Sequence, residues 1–144
     1  MVDQPRVTTA RTEAAPAISA DATAALLQSS AVGVIEGDGE VIVAANDAFL
    51  TMLGYTQADV ARGALRWPAL TPAEWAASDE IALGQIVATG EQTPLEKEFT
   101  RRDGTRVPVL VHAVRKTPVG WMAIVIELTD RRDRHAAFAA PQAA

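Results

Sequence analysis

The chain has 144 residues, a formal net charge of −5 and no cysteine. This length suits one domain with a single core, and it is too short for a second, catalytic domain. The missing cysteines exclude disulfides, thiolate nucleophiles and cysteine-based zinc sites, and we predict no metal site. The negative charge argues against binding to nucleic acid, and no apolar run reaches the roughly 20 residues of a membrane helix, so we predict a cytoplasmic protein without nucleic acid or membrane partners.

The two ends of the chain carry no hydrophobic periodicity. We therefore predict a disordered N-terminal segment at residues 1–20 and a flexible C-terminal tail at residues 133–144. The domain itself is expected at residues 21–132, where the periodic segments lie. Asp21 is predicted to cap its first helix, because a short acidic side chain can accept hydrogen bonds from the first turn.

A hairpin is predicted after this helix. Residues 31–36 and 41–45 are rich in β-branched side chains, which are typical of strands, and the glycines at residues 37–39 predict a tight turn between them. Because a strand follows the turn, these glycines indicate a hairpin rather than a phosphate-binding loop before a helix.

Two short helices are predicted next. Asn46 can cap the first of them, and Gly54 can adopt the left-handed conformation that ends a helix. Thr56 and Asp59 stand three residues apart and form a capping pair for a second short helix, which is predicted to run to Arg62.

The main helix is predicted at residues 73–88. Trp67-Pro68 disfavours helix at the tryptophan, because proline restricts the residue before it. Thr71-Pro72 offers a cap followed by proline in the first turn, and apolar residues then recur at helical spacing.

Three further strands are predicted at residues 94–101, 105–116 and 119–129, joined by short turns into an antiparallel meander. With the hairpin before the helices, this order gives an α+β fold: a five-stranded antiparallel sheet of two N-terminal strands, a helical segment and a three-strand meander. The helices are expected to cover one face of the sheet.

Four segments of the chain resemble PAS sensor domains. They are residues 46–56, which read NDAFLTMLGYT, together with residues 67–72, 96–111 and 127–132. The resemblance covers residues 21–132 and implies a PAS-like fold and a sensor module of the kind attached to bacterial signalling proteins, including two-component systems.

The resemblance has two departures. Many PAS domains end with Asp, an aliphatic residue and Thr, whereas the matching acid here is Glu127. In the family this acid helps to join the last strand to a following signalling helix. Residues 133–144 contain neither a phospho-accepting helix nor a DNA-reading one, so we expect the chain either to act on a separate signalling protein, such as a histidine kinase, or to belong to a longer polypeptide.

The cofactor is not identified by the sequence. Flavin photochemistry of the LOV type needs a cysteine that bonds the flavin, and the chain has none. Haem-binding members generally present a histidine from the long helix, and residues 73–88 contain no histidine. His112 alternates with Val109, Val111 and Ala113 on a predicted strand, so we expect it on the face away from the helices, as a structural or interface residue rather than a ligand.

Two acids on a predicted strand, Glu96 and Glu98, share one face, which is a geometry used in acid and base catalysis. No nucleophile or histidine accompanies them. We predict a solvated face with Glu98 paired to Arg101, Arg102 or Arg115, and no enzymatic activity.

The predicted ligand pocket lies between the helices and the sheet. Aromatic side chains supply flat apolar walls, so Trp67, Trp75 and Trp121 are each candidates for pocket lining or core packing, and Trp121 alternatively for a dimer face. The candidate ligand-binding residues are those expected to face between helices and sheet: Ile35, Val43, Phe49, Leu53, Trp75, Leu83, Val109 and Val111.

The predicted function is a non-catalytic sensory module for signal transduction. It binds a small ligand or a partner and transmits a conformational change through its termini, with a homodimer as the expected assembly. The alternative is a ligand-free PAS dimerisation module that uses the helix at residues 21–29 and the exposed sheet face. A small α+β enzyme is a third hypothesis, which requires a buried acid or histidine with a shifted pKa beside a cavity.

Overall fold

A five-stranded antiparallel sheet organises the chain in the computed structural model, which describes residues 16–128. The sheet order is β2-β1-β5-β4-β3, so the first and last strands are central neighbours. The strands are β1 (Val32–Asp38), β2 (Val41–Ala45), β3 (Leu95–Thr100), β4 (Arg106–Arg115) and β5 (Gly120–Glu127). The predicted α+β class and the five-stranded sheet are confirmed.

Four helices lie between β2 and β3 and cover one face of the sheet, whereas the first helix precedes β1. A 3₁₀ turn at Ala73–Trp75 precedes the longest helix. The helices are α1 (Ala20–Leu27), α2 (Asp47–Leu53), α3 (Gln57–Ala61), α4 (Trp67–Leu70) and α5 (Ala76–Thr89). The predictions for residues 1–15 and for the tail at residues 133–144 fall outside the described part of the chain.

The predicted ends of α2 and α3 are confirmed by their hydrogen bonds. Asn46 Oδ1 accepts from the Phe49 amide at 3.1 Å, and Gly54 closes α2 with a φ of 84°. Thr56 and Asp59 form the expected capping box: the Asp59 amide donates to Thr56 Oγ1 at 3.2 Å, and the Thr56 amide donates to Asp59 Oδ2 at 2.9 Å. Local side chains therefore determine where these two helices begin.

Asn46 also connects α2 with its neighbours. Its Oδ1 accepts a second hydrogen bond from the Val34 amide, and its Nδ2 donates to the Leu27 and Val32 carbonyls, all at 2.9 Å. One side chain thus bonds the end of α1, the strand β1 and the start of α2.

The predicted start of the first helix was wrong. Ser19, and not Asp21, is the cap of α1, because Ser19 Oγ accepts from the Ala22 amide at 3.0 Å. Asp21 lies in the first turn, where an acid is favoured by the helix dipole.

The predictions around the two Pro dipeptides were also wrong. Helix α4 begins at Trp67, since Pro68 occupies the first turn, where no amide hydrogen is needed. Thr71 does not cap the main helix: its Oγ1 donates to the Trp67 carbonyl at 3.1 Å and accepts from Lys97 Nζ at 3.0 Å. Helix α5 consequently begins only at Ala76, and no side chain caps it.

The hairpin turn lies slightly later than predicted. Gly37 and Asp38 belong to β1, and the turn is formed by Gly39 and Glu40. The pairing register shifts between Glu36 and Gly37, as at a β-bulge.

The densest part of the core lies where α2 and α3 meet the sheet. Phe49, Leu53, Ile42 and Val109 have no exposed surface, and the Phe49 and Phe99 rings meet edge to face with centroids 6.2 Å apart. Such aromatic pairs are favourable beyond their buried area. These side chains belong to the main cluster of buried residues, which continues onto β4 and β5.

The opposite face of the sheet is apolar and only half-buried. His112 lies on this face, as predicted, because Val109, Val111 and Ala113 are buried on the other one. Its Nε2 stands 3.4 Å from a Glu91 carboxylate oxygen. The face is formed mainly by aliphatic residues of the three central strands: Val32, Leu110, Val114, Met122, Ile124 and Ile126.

The helices and the acidic and histidine side chains of residues 16–128 bear on the class of protein. None of these helices has the length and apolar character needed to cross a membrane. Within the same residues, no group of three or more acidic or histidine side chains is placed to hold a metal ion.

Candidate ligand-binding site

A cavity of about 410 Å³ separates α5 from the inner face of the sheet. Helix α5 packs loosely here, because Ala82 is its one buried residue and Leu83 and Val87 are 47% and 65% exposed. The walls are mainly apolar and come from α5 and from four strands. The volume falls in the range of small-molecule sites in proteins.

An ion pair lies beside this cavity. Lys97 on β3 is 6% exposed, and its Nζ donates to Asp79 Oδ1 on α5 at 2.7 Å and to Thr71 Oγ1 at 3.0 Å. The ammonium also stands 4.8 Å from the centroid of the Phe99 ring. Burial lowers the pKa of Lys97, and the hydrogen bond and charge of Asp79 oppose this effect. The pair joins the first turns of α5 to the sheet.

Two tryptophans form another wall and share one hydrogen-bond acceptor. Trp121 Nε1 donates to the Gly39 carbonyl at 2.8 Å, and Trp67 Nε1 donates to the same oxygen at 3.3 Å. The Trp121 ring lies so close to Gly37 that a Cβ at this position would be 2.0 Å from the ring. Trp121 therefore lies on the inner face of the sheet, where it borders the cavity and packs against the core, and not on the outer face.

Three of the eight predicted site residues line the cavity, namely Ile35, Leu83 and Val111. That they contact a ligand stays a prediction. Phe49, Leu53 and Val109 lie instead in the dense core, as described above.

The other two predicted site residues lie elsewhere. Val43 is 53% exposed, because strand alternation turns its neighbour Ile42 inward. Trp75 belongs to the 3₁₀ turn and not to the main helix, and its Nε1 points to Glu98 Oε1 at 3.4 Å. The expected orientation of Val43 and the helical placement of Trp75 were wrong.

Lys97 and Asp79 are the most important residues that the sequence analysis missed as site residues. Lys97 stands between Glu96 and Glu98 on β3. The signal for its burial was present, since a period of two places Lys97 on the same face as Phe99. Its partner Asp79 lies on a different element, and no sequence pattern connects the two.

The predicted partners of Glu98 were wrong. Glu98 pairs with Arg106 Nη1 at 3.2 Å. The reason is the strand register, which places Glu98 opposite Pro108 and makes Arg106 its diagonal neighbour on β4. Arg106 also contacts Glu74 at 2.7 Å, and these acids raise its pKa.

A second concavity, of about 700 Å³, lies on the surface near the end of β5. Gln28, Met52 and Leu128 are among its lining residues. Glu127, the acid that departs from the family pattern, also borders it and stands 3.8 Å from Arg101 Nη2. At this distance and with both side chains about a third exposed, the ion pair contributes little stability.

Residues 29–130 match the family model of the PAS domain. The match spans most of the chain, and the chain belongs to the PAS family. The resemblance predicted from the four sequence segments is thereby confirmed.

Relatives place this domain among signalling proteins. The hybrid signal transduction protein dokA of Dictyostelium discoideum is 38% identical over 71 residues, which are 49% of this chain and 4% of that protein. A solved domain of the sensory box sensor histidine kinase/response regulator of Geobacter sulfurreducens is 25% identical, with a TM-score of 0.59 over 74% of this chain and 91% of that one. Family and relatives together support a sensory or signalling module.

A PAS domain solved in complex with ethanol has the same fold. It comes from a transcriptional regulator of the LuxR family in Burkholderia thailandensis and is 16% identical to this chain. The TM-score is 0.63, and the match covers 78% of this chain and 99% of that one.

Proposed function

We propose that this PAS domain is a non-catalytic cytoplasmic sensory module that admits a small ligand between α5 and the sheet. The observation that carries the proposal is the cavity itself, beside a helix whose apolar side chains Leu83 and Val87 remain largely exposed. The ethanol complex of the Burkholderia domain lends support, since it is a PAS domain with a small molecule bound.

The proposed mechanism is a population shift in the packing of α5. The helix is attached near both ends: Asp79 binds Lys97, and the Gly90 carbonyl after α5 accepts from the Arg115 amide at 2.7 Å. A ligand that contacts the middle of α5 favours one packing, provided that its affinity for the two packings differs. Because β4 and β5 border the cavity, the change would reach the end of β5 and a separate signalling protein, such as a histidine kinase.

The absence of catalysis is part of the proposal. Lys97 and Asp79 are the titratable pair beside the cavity, and their closest polar partners are each other and Thr71. The Thr71 hydroxyl accepts from Lys97 and donates its own proton to the Trp67 carbonyl and not to a base, which favours a binding role over an enzymatic one.

Native mass spectrometry of freshly purified protein, with an absorbance spectrum of the same sample, tests this function. We expect a bound small molecule in the wild type and its loss in Ala113→Leu, which adds volume on the cavity side of β4. His112→Leu, one residue away on the opposite face, is the matched control and should retain the molecule. A wild type without bound mass that also fails to bind any compound of a metabolite screen would contradict the proposal.

The second candidate function is a ligand-free homodimer. It is favoured by the half-buried aliphatic face of the sheet and by α1, which has no buried residue and exposes Leu26 by 51%. Under this candidate Ile124→Glu on that face should convert a dimer into a monomer in sedimentation velocity. Ile81→Glu, on the exposed side of α5, is the control and should leave the dimer intact. Equal behaviour of the two variants would exclude the face as the interface.

A further inference from the structure

The charges next to the cavity cancel each other. Lys97 and Asp79 are held 2.7 Å apart, so together they present a dipole and not a net charge to the space beside them. The other charged lining residues, Glu40 and Arg115, are exposed to solvent, and Glu40 is already paired with Arg66 at 2.6 Å. A third charge placed between α5 and the sheet would lose much of its hydration, and the neutral pair would offer it no net countercharge.

The ion pair retains hydrogen-bonding capacity. A lysine ammonium has three donors, and Lys97 uses two of them for Asp79 and Thr71. In the described part of the chain, Asp79 Oδ2 accepts no hydrogen bond, whereas Oδ1 does. The pair can therefore donate once and accept once more, which matches the carbonyl and the N–H of an amide group.

The remaining walls favour a ring. Trp67, Trp121 and Phe99 contribute flat aromatic surfaces, and Ile35 and Val111 contribute aliphatic ones. The cavity volume of about 410 Å³ lies within the range of small-molecule sites and suits a compound of one or two fused rings. Aromatic walls bind such rings by offset or edge-to-face packing.

We propose that the cavity selects an uncharged ring compound with one amide-like end, which hydrogen-bonds to both members of the Lys97–Asp79 pair. This inference rests on the proposed sensory function and specifies its ligand class. It follows from the cancellation of charge and the donor and acceptor that remain on the pair.

Three probes of nearly identical shape test the ligand class: benzamide is neutral, benzoate is an anion and benzamidine is a cation at neutral pH. Binding is followed by the shifts of backbone amide signals of α5 and β3 in two-dimensional NMR. We expect the wild type to bind benzamide at least about tenfold more tightly than either charged probe, since an unpaired charge is costly to bury. Equal or tighter binding of benzoate or benzamidine overturns the inference.

Two variants give the neutral site opposite net charges. Asp79→Asn leaves the ammonium without its anion, and we expect benzoate to become the probe that binds most tightly. Lys97→Met leaves the carboxylate, and the order of probe affinities should change in favour of benzamidine. The amide spectrum of each variant shows whether it is folded. If one variant does not fold, the other variant and the order of probe affinities in the wild type still test the inference. A folded variant with the same order of affinities as the wild type overturns it.

Indole, added as an uncharged ring without a carbonyl, separates the inference from the function on which it rests. If indole and the three probes all fail to shift cavity signals at millimolar concentration, both the ligand class and the sensory cavity are refuted. If indole binds but benzamide has no advantage over its charged analogues, the ligand class alone is refuted and the sensory function stands.

Discussion

The two helical regions that cover the sheet differ in how firmly they are packed. Helices α2 and α3 press fully buried side chains such as Phe49 and Leu53 into the sheet, whereas α5 buries only Ala82. The first region begins with capping side chains at Asn46 and Thr56, and α5 has none. The difference indicates that α2 and α3 maintain the fold, while α5 is the element whose position the proposed ligand would alter.

The largest expected effect comes from the dense region. Phe49→Ala should reduce the free energy of unfolding by about 3–5 kcal/mol, because the surrounding side chains cannot close the resulting space. Val87→Ala on α5 is the control, and it should cost less than about 0.5 kcal/mol since Val87 is 65% exposed. Urea denaturation measures both values, and similar losses would remove the distinction between the regions.

The ion pair is the strongest polar attachment of α5 and gives the next effect. Lys97→Met should cost about 3 kcal/mol, because Asp79 is left without its partner at a site that is mostly buried. The double variant Lys97→Met with Asp79→Leu should recover most of this loss, since an apolar pair needs no hydration. If the double variant is as unstable as Lys97→Met alone, an apolar pair cannot replace the ion pair at this site.

The pH dependence of stability tests the same lysine. Burial lowers the pKa of Lys97 from its ordinary value of 10.5, so the folded protein releases this proton at lower pH than the unfolded chain. Between the folded pKa and 10.5 the unfolded state binds more protons, and this residue therefore makes stability rise with pH. Urea denaturation of the wild type and of the double variant across this pH range isolates the contribution of Lys97. The rise in stability with pH that Lys97 causes should be absent from the variant.

Two glycines test the difference between the regions through smaller changes in stability. Gly37→Ala should cost about 1–3 kcal/mol, because the added Cβ collides with the Trp121 ring. Gly84→Ala in α5 meets no atom within 4 Å and should stabilise the helix by about 0.5–1 kcal/mol. Thermal unfolding should therefore show a lower melting temperature than the wild type for Gly37→Ala and a higher one for Gly84→Ala.

The smallest effect concerns the capping box of α3 and appears in acid. The Thr56 backbone hydrogen bond is the first cause that lowers the pKa of Asp59 below its ordinary value of 3.8. Stability from this group is present above pH 3.8 and is lost as the pH falls through the lower, folded value. Asp59→Asn should show a weaker loss of stability below pH 3.8, whereas Asp38→Asn at the exposed end of β1 should follow the wild type.

The contrast between the regions also explains what the sequence could predict. Caps such as Asn46 and Thr56 act on residues three positions away, so their function is visible in a short window. The family resemblance rests partly on the same segment, and the strand and turn patterns predicted the sheet and its strand number. The ion pair between Lys97 and Asp79 depends on how α5 lies across the sheet, and Glu98 finds Arg106 through strand register. Neither relation is encoded in local spacing.

The fourfold bonding of Asn46 restricts which amino acid can occupy that position. Its amide accepts from two backbone N–H groups and donates to two carbonyls, which requires an acceptor oxygen and two N–H donors on one short side chain. Aspartate has no donor when ionised, serine has one, and glutamine is longer by one methylene group. Asparagine is thus the single standard side chain that meets all four demands here, so exchange at this position is limited by the number of hydrogen-bonding atoms and by their distance from the backbone.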